Sequence, residues 1–150
     1  MQTNVFYFAY GSNTNPERKA ERVPNARRVG IGHIIGWEVR ERLYANLEPR
    51  PGHRVDGVVY LLTETELNFL GRYEGYPHCY TDRRVKVWLD GDSGESELGG
   101  GMCVPAITYV MTDATRNARC KMRYPAEYRA ICSRGARMNG IKDIFGRGAA

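Results

Sequence analysis

The chain has 150 residues, 42% of them hydrophobic, and a formal charge of +5. That is enough apolar material for one core, so residues 1–150 are expected to form a single domain. No apolar run is long enough to span a bilayer, which excludes a helical membrane protein, and the mild positive charge favours anionic ligands without naming one.

The first element is Asn4–Asn13, NVFYFAYGSN, around which the rest of the chain is organised. Val5, Phe6, Tyr7 and Phe8 favour a buried strand, and Gly11 is expected to supply backbone angles that a Cβ excludes. A turn of small residues between a strand and a helix lets successive N–H groups converge on an anion or a developing oxyanion. An ordinary strand-to-helix turn has the same residues. The helix is announced by Asn15 as N-cap, Pro16 at the first helical position and Glu17 in the first turn.

Ala26 to Arg42 reads as two strands, bent or bulged at Gly30, Gly32 and Gly36. Glu48 to Arg54, with Pro49, Pro51 and Gly52, reads as a loop. Val55 to Leu62 is too continuously apolar for a surface strand and should be central. Thr63 and Glu66 then form a capping box, opening a short helix that ends near Arg72 to Gly75. Glu74 therefore falls where the helix carbonyls carry partial negative charge, which disfavours an ionised carboxylate. Shielding by Tyr73, Tyr76 and Tyr80 would push its proton affinity up further, as a general acid or base near neutral pH requires. A glutamate exposed at a frayed helix end is the competing description.

Thr81 to Leu89 alternates, with Val85, Val87 and Leu89 on one face and Arg84, Lys86 and Trp88 on the other. Asp90 to Gly101, DGDSGESELGGG, is expected to be a flexible hairpin loop, and its glycines lack the GK[ST] of a phosphate loop. Val104 to Thr112 is a further strand, Thr112 to Arg123 an irregular connection, and Pro125 to about Gly140 the last helix. Tyr128, Ile131, Cys132 and Gly135 share one face of that helix, which turns Tyr128 inward as a core residue or a site residue.

Cys79, Cys103, Cys120 and Cys132 form no CxxC pair, and His33, His53 and His78 show no ligand spacing, so no metal is expected. With no signal peptide at the start, a cytoplasmic protein with reduced cysteines is the simplest description. His78 and Cys79 are adjacent and would point to opposite faces of an extended segment, which discounts them as a dyad. Ser12 lacks a GxSxG elbow and a tied histidine, which argues against a hydrolytic nucleophile. Nine basic residues beyond Thr115 face only Glu127 and Asp143. A solvated helix face describes that excess better than a nucleic-acid surface.

Phe6-Tyr7-Phe8-Ala9-Tyr10-Gly11-Ser12-Asn13, Gly57-Val58-Val59-Tyr60, Tyr73-Glu74-Gly75, Tyr109-Val110-Met111 and Pro125-Ala126-Glu127-Tyr128, with Gly135-Ala136 and Asn139-Gly140, occur in this order. Together they resemble the gamma-glutamylcyclotransferase family over nearly the whole chain. The resemblance implies a mixed α/β (α+β) domain, a small barrel-like sheet flanked by helices, with the YGSN loop lining a cavity. It implies release of 5-oxoproline from a γ-glutamyl amide, a small-molecule substrate, without a cofactor or metal. The acid/base glutamate of the family falls on Glu74, its substrate-cradling loop on Tyr7 through Asn13 (with Tyr10, Gly11 and Ser12), and its late site tyrosine on Tyr128. Tyr80 matches an aromatic that follows the glutamate. Thr14, Gly71, Pro125 and Met138 depart from residues common in the family, and none of them touches the acid/base position. The alternative is a non-catalytic module of the same fold that binds a γ-glutamyl or other small anionic ligand. The leaving amine, and whether the protein is a monomer or a homodimer, stay open.

Overall fold

The computed structural model describes residues 3–91 and 101–146. Its strands are β1 (Asn4–Ala9), β2 (Arg27–Arg42), β3 (Tyr44–Thr63), β4 (Tyr80–Leu89) and β5 (Cys103–Met111). They close into a barrel in the order β1-β3-β2-β4-β5. Neighbours are antiparallel except β1 and β5, which run parallel with Tyr7 opposite Ile107. The helices are α1 (Pro16–Arg22), α2 (Glu64–Glu74), α3 (Asp113–Ala118) and α4 (Ala126–Met138). This is the mixed α/β, barrel-like architecture that the resemblance implied.

The apolar runs of β1 and β3 follow from burial on both faces. Phe8 and Tyr10 pack with Val59, Val87 and Leu89, whereas Tyr7 and Ala9 pack with Val58, Tyr60, Leu70 and Tyr109. Side chains alternate across a strand, so one face of β1 enters each cluster, and Tyr7, Phe8 and Ala9 at its end are buried on both faces. β3 pairs with both β1 and β2, and its Val58 and Val59 are fully buried, as expected of a central strand. On β4, Val85, Val87 and Leu89 are buried while Arg84, Lys86 and Trp88 are exposed, which matches the alternation in the sequence.

Three local readings are corrected. The stretch read as two strands forms one, Arg27–Arg42: register shifts at Arg28/Gly30 and Ile35/Trp37 pass over Val29 and Gly36, Gly30 and Gly36 sit at positive φ, and Gly32 stays in register opposite Gly57. Glu48 to Arg54 is strand, not loop, because Pro49 and Glu48 pair with Trp37 and Glu38 on an arm whose outer part is exposed. Prolines are tolerated there because the arm pairs on one side only, and a missing N–H facing solvent breaks no ladder bond. Within Thr112–Arg123, Thr112 caps the short helix α3 through its hydroxyl, which accepts from the Thr115 N–H. Of the connection expected over Asp90–Gly101, residues 92–100 lie outside the described part.

The three helix starts read from the sequence are present, the last with Pro125 preceding Ala126. The Asn15 side chain accepts from the N–H groups of Glu17 and Arg18, with Pro16 at the first position. Thr63 and Glu66 make the reciprocal capping box. The basic excess of the last third is largely paired: Arg129 binds Glu41 at 2.9 Å and Arg134 binds Glu17 at 2.9 Å. Among the described residues no helix is long and apolar enough to cross a membrane.

Candidate active site

β1 ends at Ala9 and delivers the loop Tyr10–Asn13 into a 3-10 turn over Ser12–Thr14. The turn is closed by the Thr14 N–H and the Thr14 hydroxyl, both donating to the Gly11 carbonyl, at 3.2 and 2.8 Å. Gly11 has φ −118° and ψ −127°, outside the left-handed region and also outside the ordinary strand and helix angles. Space favours glycine there as well: a Cβ would lie 3.0 Å from the Tyr128 hydroxyl and 3.4 Å from the Ala45 Cβ. The turn is pinned from behind by α4, whose Gly135 comes so close that a Cβ there would lie 2.7 Å from the Asn15 N. Asn139 donates to the Thr14 carbonyl at 2.8 Å, and Asn15 to the Ile131 carbonyl at 3.1 Å. Ser12 and Asn13 begin the turn, where N–H groups have no partner within it.

This loop forms one wall of a cavity of about 320 Å³. Tyr7, Tyr10, Gly11, Ser12 and Asn13 line it, and so do Glu74, Tyr80 and Tyr128. The structure thus brings together residues that lie up to 121 positions apart, 128 minus 7, around one cavity. Among the described residues Glu74 is its sole carboxylate, and no histidine lines it.

Glu74 is the last residue of α2, before Gly75 in the left-handed conformation. Its side chain is 19% exposed and lines the cavity. Burial pushes its carboxyl above the ordinary carboxylate range, against the opposing pull of the Arg22 charge and of a hydrogen bond from Asn13. The Asn13 amide is the hub: its nitrogen donates to Glu74 at 3.1 Å and to the Tyr7 hydroxyl at 2.9 Å, while its oxygen accepts from Arg22 at 2.8 Å. Arg22 itself stops 3.9 Å from the carboxylate. Of the tyrosines expected to shield Glu74, Tyr73 and Tyr80 line the cavity; Tyr76 is half-exposed and packs against Tyr109 instead.

The remaining tyrosine hydroxyls are fixed by backbone. Tyr10 donates to the Tyr109 carbonyl at 2.6 Å and Tyr80 to the Ala45 carbonyl at 3.1 Å. The Tyr128 hydroxyl accepts from the Ala45 N–H at 3.0 Å, so this residue is at once a core tyrosine with a backbone partner and a cavity wall. Burial raises the proton affinity of Tyr7, Tyr10 and Tyr128 well above the ordinary phenol value, so these rings stay neutral. Neutral hydroxyls in fixed places can orient a ligand but not act as bases.

Several cavity residues escaped the sequence reading, notably Arg18, Arg22, Tyr109 and Arg119. Arg18 and Arg22 stand four apart on α1, a spacing that puts both on one helix face and offered the only local signal. Outside the cavity, His33, Asp56 and Asp90 gather potential ligand atoms within 4.8 Å, contributed by separate segments and so invisible as a spacing. These groups already have partners: Arg54 pairs with Asp56 at 2.7 Å, and the His33 ring nitrogen lies within hydrogen-bond distance of Asp90, at 2.9 Å.

A model of the family described as "Gamma-glutamyl cyclotransferase, AIG2-like" matches residues 7–130. The chain belongs to this family. No curated protein matches it significantly in sequence. Among solved structures, an uncharacterized human protein is 25% identical with a TM-score of 0.71, over 91% of this chain and 80% of that one. A gamma-glutamyl cyclotransferase is 24% identical, also with a TM-score of 0.71, over 92% and 81%. A yeast gamma-glutamyl cyclotransferase specific to glutathione shares the fold at 15% identity and a TM-score of 0.66, over 93% and 90%. Two departures from the family's common residues have local reasons. Thr14 supplies the hydroxyl that closes the turn on Gly11, and at Gly71 a Cβ would lie 3.0 Å from the Tyr109 hydroxyl.

Proposed function

We propose that this cavity converts γ-glutamyl amides into 5-oxoproline and a free amine, with Glu74 as general acid/base. The observation that carries the reading is a single buried carboxylate of raised proton affinity facing the N–H-rich Tyr10–Asn13 loop. The α-amine of the substrate attacks its own γ-carbonyl, so the nucleophile is intramolecular and the protein has to select the folded conformer. Glu74 accepts a proton from that amine as the N–C bond forms, then returns it to the departing nitrogen as the amide C–N bond breaks. One proton is moved and none is consumed. A carboxyl with proton affinity above the usual range is better matched to both halves of this task than an exposed one.

Asn13 and Arg22 hold the carboxylate in place, and the N–H groups of Gly11, Ser12 and Asn13 receive the α-carboxylate of the glutamyl group. The rings of Tyr10, Tyr80 and Tyr128 wall the folded conformer. Incubation with a panel of γ-glutamyl amino acids, dipeptides and amines, followed by detection of 5-oxoproline, tests the reaction. Release from at least one member is expected; release of glutamate, or of nothing, would contradict it.

A further inference from the structure

Tyr128 reaches the cavity from α4, and its ring is backed by side chains that stand off the cavity. It meets the Tyr124 ring at 5.5 Å, and Tyr124 in turn meets Phe145 at 5.6 Å. Phe145 is buried although it belongs to the segment after α4, which forms neither helix nor strand. A ring drawn into the core from such a segment needs anchors from elsewhere, because no ladder of backbone bonds holds the chain in place.

Arg129 supplies them. Its guanidinium donates to the Phe145 carbonyl at 3.1 Å through one nitrogen and to Glu41 of β2 at 2.9 Å through another, and it lies 5.2 Å over the Tyr124 ring. The same Glu41 carboxylate accepts from the Tyr124 N–H at 2.6 Å. One side chain thus ties β2, the start of α4 and the C-terminal segment around a single ring. A guanidinium can do so because its in-plane donors and its flat face are used at once. Asp143 adds a second clasp, accepting from the Phe145 N–H at 3.0 Å and from the Ser133 hydroxyl of α4.

Elsewhere the Tyr128 ring has little room. Its hydroxyl accepts from the Ala45 N–H at 3.0 Å, a Cβ at Gly11 would come within 3.0 Å of it, and Tyr44 meets the ring edge-on at 4.9 Å. The side that Tyr124 closes is the one Arg129 controls. Glu74 is held separately, by Asn13 with Arg22 beside it. Under the proposed function, on which this inference rests, Tyr128 walls the folded glutamyl conformer. We infer that Arg129, which does not itself line the cavity, is a positioning residue for substrate binding: through Tyr124 and Phe145 it fixes the Tyr128 ring. A wall already ordered before the substrate arrives costs less to order on binding, so loss of Arg129 should weaken binding and spare proton transfer.

The test sets Arg129→Met against Arg134→Met, a control on the same helix whose pair with Glu17 is exposed on both sides, 59% and 70%. Two readouts are taken: KM and kcat for the γ-glutamyl amide turned over fastest, and the ¹⁹F resonance of 3-fluorotyrosine incorporated at position 128. Arg129→Met should raise KM about 10-fold with kcat within about threefold of the wild type, and should shift or broaden the resonance. Arg129→Lys, which can serve one of the two acceptors but not both, should fall between, and Arg134→Met should change neither readout. Partial unfolding would lower kcat and leave KM, so it does not imitate this result. An unmoved resonance, a moved one with KM unchanged, or equal effects of Arg134→Met overturns the role of Arg129 and leaves cyclisation standing. A moved resonance with no 5-oxoproline from the wild type keeps the clamp on Tyr128 and overturns the reaction. An unmoved resonance with no 5-oxoproline overturns both.

Discussion

Two glutamates in this molecule have the same kinds of partner and opposite chemistry. Glu48 accepts from Asn46 at 3.0 Å and from Arg42 at 2.9 and 3.0 Å; Glu74 accepts from Asn13 at 3.1 Å, with Arg22 at 3.9 Å. Their side chains are nearly equally exposed, 16% and 19%. Burial would raise both, yet Glu48 is held below the ordinary carboxylate range by the hydrogen bonds from Arg42 and Asn46, whereas Glu74 stays above it. Two differences in geometry set the sign. Arg42 grips its carboxylate bidentately, while Arg22 is held off by the Asn13 amide between them; and Glu74 lies deeper in the protein, on a cavity lined by tyrosine rings. One arrangement stabilises an anion for the fold, and the other keeps a carboxyl able to take up and release a proton.

The largest expected effect separates the two in function. Glu74→Gln should lower turnover about 10²- to 10⁴-fold with the fold retained, whereas Glu48→Gln should leave turnover of the same order. Steady-state kinetics on both, with circular dichroism to confirm folding, decide this, and equal losses would erase the contrast. The same pair should also differ in stability. A carboxyl whose folded-state proton affinity is raised destabilises the fold as pH rises past its ordinary value of 4.5, because the folded chain then holds a proton the unfolded chain has released. Glu74→Gln should therefore melt above the wild type near neutral pH, with the gap closing as pH falls toward that value.

Glu48 works the other way. Its lowered proton affinity contributes stability that is present above its ordinary value of 4.5 and is lost as pH falls through its lower folded-state value. Glu48→Gln should cost about 1–3 kcal/mol at neutral pH by denaturant titration, since the charged Arg42 loses its acceptor. That difference should shrink in acid; a constant difference across pH would show that the pair contributes by packing alone.

Smaller changes sharpen the role of the Asn13 amide. Both Asn13→Ala and Arg22→Met remove something that lowers the proton affinity of Glu74, so each should move the acidic limb of the kcat/KM profile to higher pH. A limb that stays in place while kcat falls would mean that these residues only support the loop.

The sequence carried the parts of this contrast that are local. β1 with its YGSN turn, the Thr63–Glu66 capping box and the placing of Glu74 at a helix end all follow from neighbouring residues. What was not legible was long-range. Arg22 and Glu74 are 52 positions apart, 74 minus 22, and nothing in either segment says that α1 and α2 meet across Asn13. The β2–β3 arm was hidden by Pro49 and Pro51, whose loop signal is outweighed by pairing with Trp37 and its neighbours. At Gly11 the sequence signals a backbone requirement, whereas the approach of Tyr128 is long-range, from a helix more than a hundred residues later.

The smallest expected effect belongs to Ser12. It is buried in the loop, and in the proposed reaction its N–H, which Ser12→Ala keeps, is the group that would act. The loss should stay below about tenfold, short of the 10²- to 10³-fold that removal of an oxyanion donor brings, and no glutamyl adduct should accumulate by mass spectrometry. A stable adduct on Ser12 would make the serine the nucleophile.

The central claim is that the attacking atom belongs to the substrate and that Glu74 moves its proton. It is tested most directly by turnover of a γ-glutamyl amide and of its N-acetylated counterpart in ¹⁸O-labelled water, by the wild type and by Glu74→Gln. The expected result is unlabelled 5-oxoproline from the free-amine compound, none from the acetylated one, and loss of turnover in Glu74→Gln. Labelled glutamate, cleavage of the acetylated compound at a comparable rate, or undiminished turnover by a folded Glu74→Gln would contradict it.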